Sequence, residues 1–480
     1  MHPTHLLFRC LGFVGPWKRP KSHIGNHLLL LAISASLPWT AHAADSLPSY
    51  TLHSSRTVGS VDHVQTAMDM GGDLKLPSAN PKDGGPVRRV KTSAQATLNY
   101  DERTLEYTST DAGPLRSIRC YQKVAATLRP ENDIKQRTLR DQRMTIGVLI
   151  EPPRATFYSP AGPLTRDELD LVDLFGNSLL LDRLLPEKAV AVGERWKHSP
   201  NLAGALLGLD VVAQSDLQST LVSVAQGVAR MEISGHVEGT LEGASSSIDV
   251  KAKYRFQLDT GRITWFGILV KVDNSIGPAG PGLEGTARVQ MTIAPGADVP
   301  GLADAALKDL ASKPTPELLQ LAYESPAGGW RLLHDRRWFL VQDQKELAVL
   351  KLIDKGELLA QCHIASLPNA VPGKTVTLEE FQEDVRKALG EKVKTLQEAS
   401  QRSNDFGYQV QRVLAEGVEQ DIPIRWLYYL LADKRGRQVV FIFAIESRLL
   451  PRFAGADEAL LAGVRLTDPK LAVQEPAKGQ

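Results

Sequence analysis

Between Val250 and Asp259 the side chains alternate without a break. Val250, Ala252, Tyr254, Phe256 and Leu258 fall on one side, and Lys251, Lys253, Arg255, Gln257 and Asp259 on the other. Successive side chains of a strand point to opposite faces, so this stretch fits a sheet with one apolar and one wet face. The pattern recurs along the chain. Ala229, Met231, Ile233, Val237 and Leu241 alternate with Arg230, Glu232, Ser234, His236 and Glu238, and Ala287, Val289, Met291 and Ile293 with Arg288, Gln290 and Thr292. Thr92, Ala94, Ala96, Leu98 and Tyr100 do the same nearer the start. One-sided alternation of this kind marks an antiparallel sheet. A slip of one residue would bury the lysines, so the registers are well specified. Asp259-Thr260-Gly261 reads as a hairpin turn into a strand over 262–272.

Such a sheet needs a cover. The segment 165–185 supplies one: Thr165 with Glu168 three residues on is a capping box, and Leu169, Val172, Leu174, Leu179, Leu180 and Leu184 follow among acids. Residues 78–86, rich in Pro, Gly, Asn and Lys, read as a flexible loop. From 301 to 329 short helices around Lys313-Pro314-Thr315-Pro316 read as a linker. A second domain then runs over 330–468, with strands at 330–333, 338–342, 347–353 and 358–367. Thr377 and Glu380 form another capping box, opening a helix to about residue 399 with the stripe Phe381, Val385, Ala388, Leu389, Val393 and Leu396. Strands at 408–415, 424–432 and 438–446 and a closing helix at 456–464 complete it, and 469–480 is a polar, disordered tail. The fold class expected is α+β: an N-terminal curved antiparallel β half-barrel with inserted helices over 44–300, and a smaller C-terminal antiparallel sheet layered with helices.

The first 43 residues carry an address. Lys18, Arg19 and Lys21 precede an apolar run over 28–39, and Ala41-His42-Ala43 offers small residues where a signal peptidase reads, with cleavage after Ala43. The run is too short to span a bilayer, which needs roughly 20 helical residues, and no later run approaches that length. The mature chain is thus expected in the periplasm or outside the cell, part of a bacterial envelope and without a transmembrane segment. Fifty-six Lys and Arg against 55 Asp and Glu leave no basic field for nucleic acid. Of the three cysteines, Cys10 lies in the leader, while Cys120 and Cys362 read as small buried hydrophobes, their pairing left open.

No catalytic constellation emerges. Cys362 and His363 are strand neighbours and point to opposite faces, which places Cys362 in the core and His363 at the surface. His334-Asp335 reads as a solvated turn. There is no Gly-x-Ser-x-Gly elbow, phosphate loop, dinucleotide fingerprint, His-Glu-x-x-His or Cys-x-x-Cys. His53 and His63 are two ligands where zinc wants three or four. Arg88-Arg89-Val90-Lys91 and the basic stretch at 137–143 lie on alternating strands and read as a solvated face. Trp196, Trp265 and Trp330 read as packing aromatics. No enzyme, metal or cofactor is therefore expected.

The alternating strands, the insertion after Thr165 and the run Leu185-Pro186-Glu187-Lys188-Ala189-Val190-Ala191-Val192-Gly193-Glu194-Arg195-Trp196 resemble the lipoprotein-carrier (LolA-like) half-barrels of exported bacterial proteins. The order strands, helix, strands, helix from Trp330 is similar to the PsbP-like and DcrB-like sandwich. The first resemblance implies a concave apolar face that takes a lipid, an acyl chain or a lipidated protein. Met231, Ile233, Tyr254, Phe256, Trp265, Met291 and Ile293 would line it. The alternative is an interaction scaffold of the envelope, with closed cores, an envelope protein as partner and no ligand. A hydrolase would instead need a cleft with a paired acid and base of perturbed pKa.

Overall fold

The computed structural model describes residues 48–77, 87–108, 113–131, 133–296, 299–308, 313–344, 347–371 and 376–467. The leader through Ala43, the loop at 78–86 and the tail at 469–480 lie outside the described residues. Among the described residues no helix is long and apolar enough to cross a membrane.

The alternating segments form one open antiparallel sheet of thirteen described strands. In chain order these are β1 (Val61–Leu76), β2 (Arg88–Glu106), β3 (Leu115–Pro130), β4 (Lys135–Thr138), β5 (Thr145–Glu151), β6 (Arg154–Tyr158), β7 (Arg195–Lys197), β8 (Val211–Ser215), β9 (Gln218–Ala225), β10 (Val228–Leu241), β11 (Ala244–Gln257), β12 (Arg262–Asn274) and β13 (Gly282–Pro295). The sheet runs β6-β5-β3-β2-β1-β13-β12-β11-β10-β9-β7, with β4 on β3 and β8 on β10. In the middle of the sheet the first of these strands to occur in the chain, β1, pairs with the last, β13, with Val64 opposite Ile293. Gly261, at a φ of +63°, makes the expected turn between β11 and β12.

Its apolar face is covered from within the chain. Helix α1 (Arg166–Val172) opens on the capping box at Thr165 and Glu168, and a 3-10 stretch (Ser178–Leu184) follows with every residue buried. Helix α2 (Pro200–Leu207) was not foreseen, although its signals are local: Ser199 caps the Leu202 N–H, Pro200 opens the first turn and Gly208 ends it at a φ of +70°. Leu169, Leu179, Leu180, Leu184, Leu202 and Leu206 share one core with the inward side chains of the strands.

Beneath this cover lies a buried charge network. Arg119 donates to Glu102 at 2.8 Å, Ser117 to Glu102 at 2.7 Å, and Arg56 to Asp182 at 2.7 Å. Ser178 and Asn177, at the start of the 3-10 stretch, accept from the Arg119 guanidinium. The network thereby fixes the cover to β2 and β3, because a buried charge is tolerable only when paired and hydrogen-bonded.

The second sheet is antiparallel too, in the order β16 (Trp338–Gln344), β17 (Leu347–Asp354), β18 (Glu357–Leu367), β22 (Gln438–Glu446), β21 (Ile422–Ala432), β20 (Gln409–Glu419), β19 (Val393–Ser403). A small sheet of β14 (Leu321–Ser325), β15 (Trp330–His334) and β23 (Val464–Leu466) packs nearby, so part of the expected linker is strand. One face buries Leu427, Tyr429 and Phe443 against Trp330, Phe453 and Leu460. The other buries Trp426, Tyr428 and Ile442 against Phe381 and Val385 of α3 (Leu378–Leu389). Tyr429 donates to Asp457 of α4 (Ala456–Ala462) at 2.6 Å.

Burial on both faces corrects two expectations. His363 is buried like Cys362, because its face lies under α3 rather than in water. His334 is buried as well, its Nδ1 bonded to the Asp335 carbonyl at 2.9 Å. A third correction concerns the helix at 377–399, which stops at Gly390. Val393, Leu396 and Ala399 lie instead on edge strand β19, where two bulges stretch the spacing of inward residues to three. That spacing imitates a helical stripe. Both described cysteines are free.

Candidate functional site

The seven residues singled out for an apolar ligand divide sharply. Met231, Ile233, Tyr254, Phe256, Met291 and Ile293 are at most 4% exposed and belong to the core beneath the cover. The Tyr254 hydroxyl donates to the Leu184 carbonyl at 2.8 Å, so the 3-10 stretch sits directly on this face. Trp265 lies on the opposite, outward face, with the Arg255 guanidinium 5.2 Å from its ring centre. Six of the seven side chains expected to touch a ligand are thus packed in the protein's own core.

A charged hollow lies elsewhere, between the two sheets. A direct backbone link joins the two sides: Ala322 of β14 donates to the Leu164 carbonyl just ahead of α1 at 2.8 Å. Arg166, on the first turn of α1, donates to the Arg336 carbonyl and stacks on Phe339, 4.5 Å from its ring centre. Arg336 in turn donates to the Leu319 carbonyl at 2.6 Å. At the far end the turns approach closely: a Cβ at Gly243 would come within 3.3 Å of Ile353, and one at Gly356 within 3.3 Å of Thr240. These contacts enclose a cleft of about 640 Å³.

Acids from three elements face it. Asp170 and Asp173 come from α1 and its end, Asp210 precedes β8, and Glu242 sits in the tight turn between β10 and β11 at a φ of +49°. Asp210 fixes that turn by accepting the Glu242 N–H at 2.7 Å. Enclosure by the cleft walls, with Asp170 and Asp210 adding repulsion, pushes Glu242 up to about 7. Enclosure likewise raises Asp170 and Asp173 to about 6 each. Asp170 nevertheless keeps 60% of its side chain open to the cleft water, which screens part of that effect. Burial and the neighbouring Arg166 hold Arg336 down to about 10. Arg337 closes on Asp335 at 3.0 Å and is spent internally.

Arg166 lies 4.0 Å from Asp170 and is already engaged with Phe339 and the Arg336 carbonyl, Arg119 and Arg336 face Asp173, and Arg154 and Lys355 also line the cleft. Enclosure raises these carboxyls in spite of the guanidinium groups nearby, so a further cation placed among them would favour their ionised form. Among the described residues no group of three His, Cys, Asp or Glu converges as a metal site would require. Sequence reading placed Asp170 and Asp173 only among the acids of the helical segment 165–185. What it lacked was the second wall, which no local pattern announces.

No family model and no curated protein matches the chain. Among solved structures, the cyanobacterial PsbP of Synechocystis sp. PCC 6803 is 15% identical, over 33% of this chain and 98% of its own, at a TM-score of 0.26. PA94 of Pseudomonas aeruginosa, described as a protein of unknown function and putative regulator, is 14% identical over 32% of this chain and 99% of its own, at 0.23. The translocator domain of the autotransporter NalP from Neisseria meningitidis is 7% identical over 82% and 90%, at 0.12.

Proposed function

We propose that this chain is a non-enzymatic, exported envelope protein that works as a two-domain binding scaffold. Its cores are closed, and its cleft takes a polar ligand or partner segment bearing a cationic group. The observation that carries this reading is the set Asp170, Asp173 and Glu242, solvent-accessible acids with raised pKa on walls from separate elements. A cation placed among them would relieve their mutual repulsion and ionise them together. The test is native mass spectrometry of the purified protein followed by isothermal titration with a dibasic peptide. A clean mass and binding that weakens in the double variant D173N/E242Q support the scaffold. Co-purifying lipid, or binding indifferent to both substitutions, sinks it.

A second reading keeps the apolar ligand expected of a lipoprotein-carrier half-barrel, but at the rim of the sheet. There a hollow of about 730 Å³ is lined by Leu52, Leu185, Pro186, Val190 and Trp196, with charged neighbours around them. The run that carries the resemblance thus lines this hollow. Lipid released on denaturation, and lost in Trp196→Ala, would select it over the cleft.

A further inference from the structure

The outward face of β10 to β13 gathers its cations toward one end, around Arg230, Lys251, Lys253, Arg255 and Arg288, while Glu238, Asp249, Asp273 and Glu284 lie toward the other. Its registers place Arg230 opposite Arg255, Lys251 opposite Leu269, and Leu269 opposite Arg288. Lys253 and Lys271 complete the group, Asp249 standing opposite Lys271 and Asp69 of β1 opposite Arg288, and all six cations are exposed. Lys253 pairs with Glu232 at 2.8 Å. Among the described residues Arg230, Lys251, Arg255, Lys271 and Arg288 have no ion pair. Like charges directly opposite on neighbouring strands oppose folding, so the Arg230–Arg255 register weakens the sheet slightly.

An apolar strip runs through this field. Leu269 is 44% exposed. Two residues earlier Gly267 leaves room for the Trp265 indole, which lies along the strand: a Cβ there would come within 2.6 Å of the ring. The Arg255 guanidinium stands over that indole. Cations on β11 and β13 flank the strip on either side, and strands about 5 Å apart spread the charge across a flat area rather than focusing it on one anion. Tryptophan and leucine set among lysine and arginine suit the headgroup level of a membrane.

We propose that this face docks on an anionic lipid bilayer, with Arg230, Lys251, Arg255, Lys271 and Arg288 at the phosphate level and Trp265 and Leu269 in the interface. It does not depend on what the cleft binds. An acidic protein surface is the competing occupant, and the same experiment separates the two.

The test is co-sedimentation of the purified protein with phosphatidylcholine vesicles, with and without phosphatidylglycerol, across a salt series. Binding only to the anionic vesicles, weakened by salt and reduced roughly 100-fold in K251E/K271E/R288E, is expected. The neutral variant K251Q/K271Q/R288Q should fall between, with an unchanged near-ultraviolet spectrum showing that the fold persists. A blue shift of tryptophan emission on binding should be smaller in Trp265→Phe. Equal binding to neutral vesicles, no binding, or undiminished binding by the charge-reversed variant overturns the proposal. Capture of soluble polyglutamate without vesicle binding also overturns it and assigns the face to an acidic protein.

Discussion

Arg119 and Glu102 meet at 2.8 Å beneath the helical cover, with side chains no more than 3% exposed. Arg119 also stands 4.6 Å from the Tyr100 ring centre and reaches Asn177 and Ser178. Removing one charge leaves the other buried and unpaired, which typically costs about 3–5 kcal/mol. Glu102→Gln should therefore lower stability by about 3 kcal/mol in urea unfolding at neutral pH. A loss under 1 kcal/mol would mean that the network adds nothing to the cover.

The same residue sets an acid limit. Burial alone would raise Glu102, but Arg119, Arg56 and the two serine hydroxyls outweigh it and hold the carboxyl below its ordinary value. Its stabilisation is complete above the unfolded carboxylate pKa of roughly 4.3 and fades as pH falls through the lower folded value. Unfolding midpoints of the native protein and Glu102→Gln should converge in acid. Curves that stay parallel from pH 7 to acid would contradict this.

Phe256 distinguishes a packed core from a ligand wall. Its ring is 1% exposed and sits in the cluster shared with the cover. Phe256→Ala should cost about 3–5 kcal/mol through the cavity it leaves. Bound lipid, measured by mass spectrometry, should be unaffected. Lost lipid with preserved stability would restore the apolar-ligand reading of this face.

How far the sequence reaches depends on how local each signal is. Alternation over 250–258 gives the strand and the buried face outright, since both follow from the pleat. The capping boxes at Thr165 and Thr377 mark true helix starts. The far end of the second helix was misread because bulges in β19 reproduce a spacing of three. His363 defeats the same alternation rule that succeeds elsewhere, since a sheet covered on both sides has no wet face. The cleft is the least legible feature. Arg166 and Arg336 lie 170 residues apart along the chain and meet only through tertiary packing.

Glu242 should give the cleft its own pH signature. With a folded pKa raised to about 7, the native state holds a proton that the unfolded chain has already released. Its contribution is therefore full below roughly pH 4.3 and is lost as pH rises through 7. Thermal unfolding between pH 5 and 8 should show stability declining with pH, and Glu242→Gln should flatten that decline. A cationic ligand bound in the cleft should flatten it too, because it stabilises the ionised form. An unchanged slope in the variant would show that Glu242 ionises freely.

Arg166 ties α1 to the second sheet by two different forces. Its guanidinium stacks on Phe339 at 4.5 Å and donates to the Arg336 carbonyl. Loss of a cation–π contact and a charge-assisted hydrogen bond together amounts to about 2 kcal/mol. Both sheets keep their own cores in Arg166→Ala, so the loss should fall on the contact between them rather than on either fold. The variant should show faster limited proteolysis at Pro316–Leu319, while the unfolding of each sheet, followed by hydrogen exchange, stays near that of the native protein. Arg166→Lys keeps the charge but not the planar stack, and should recover only part of the protection. Full protection in Arg166→Ala would mean that the Leu164–Ala322 backbone link and the close turns at Gly243 and Gly356 hold the two sheets together without it.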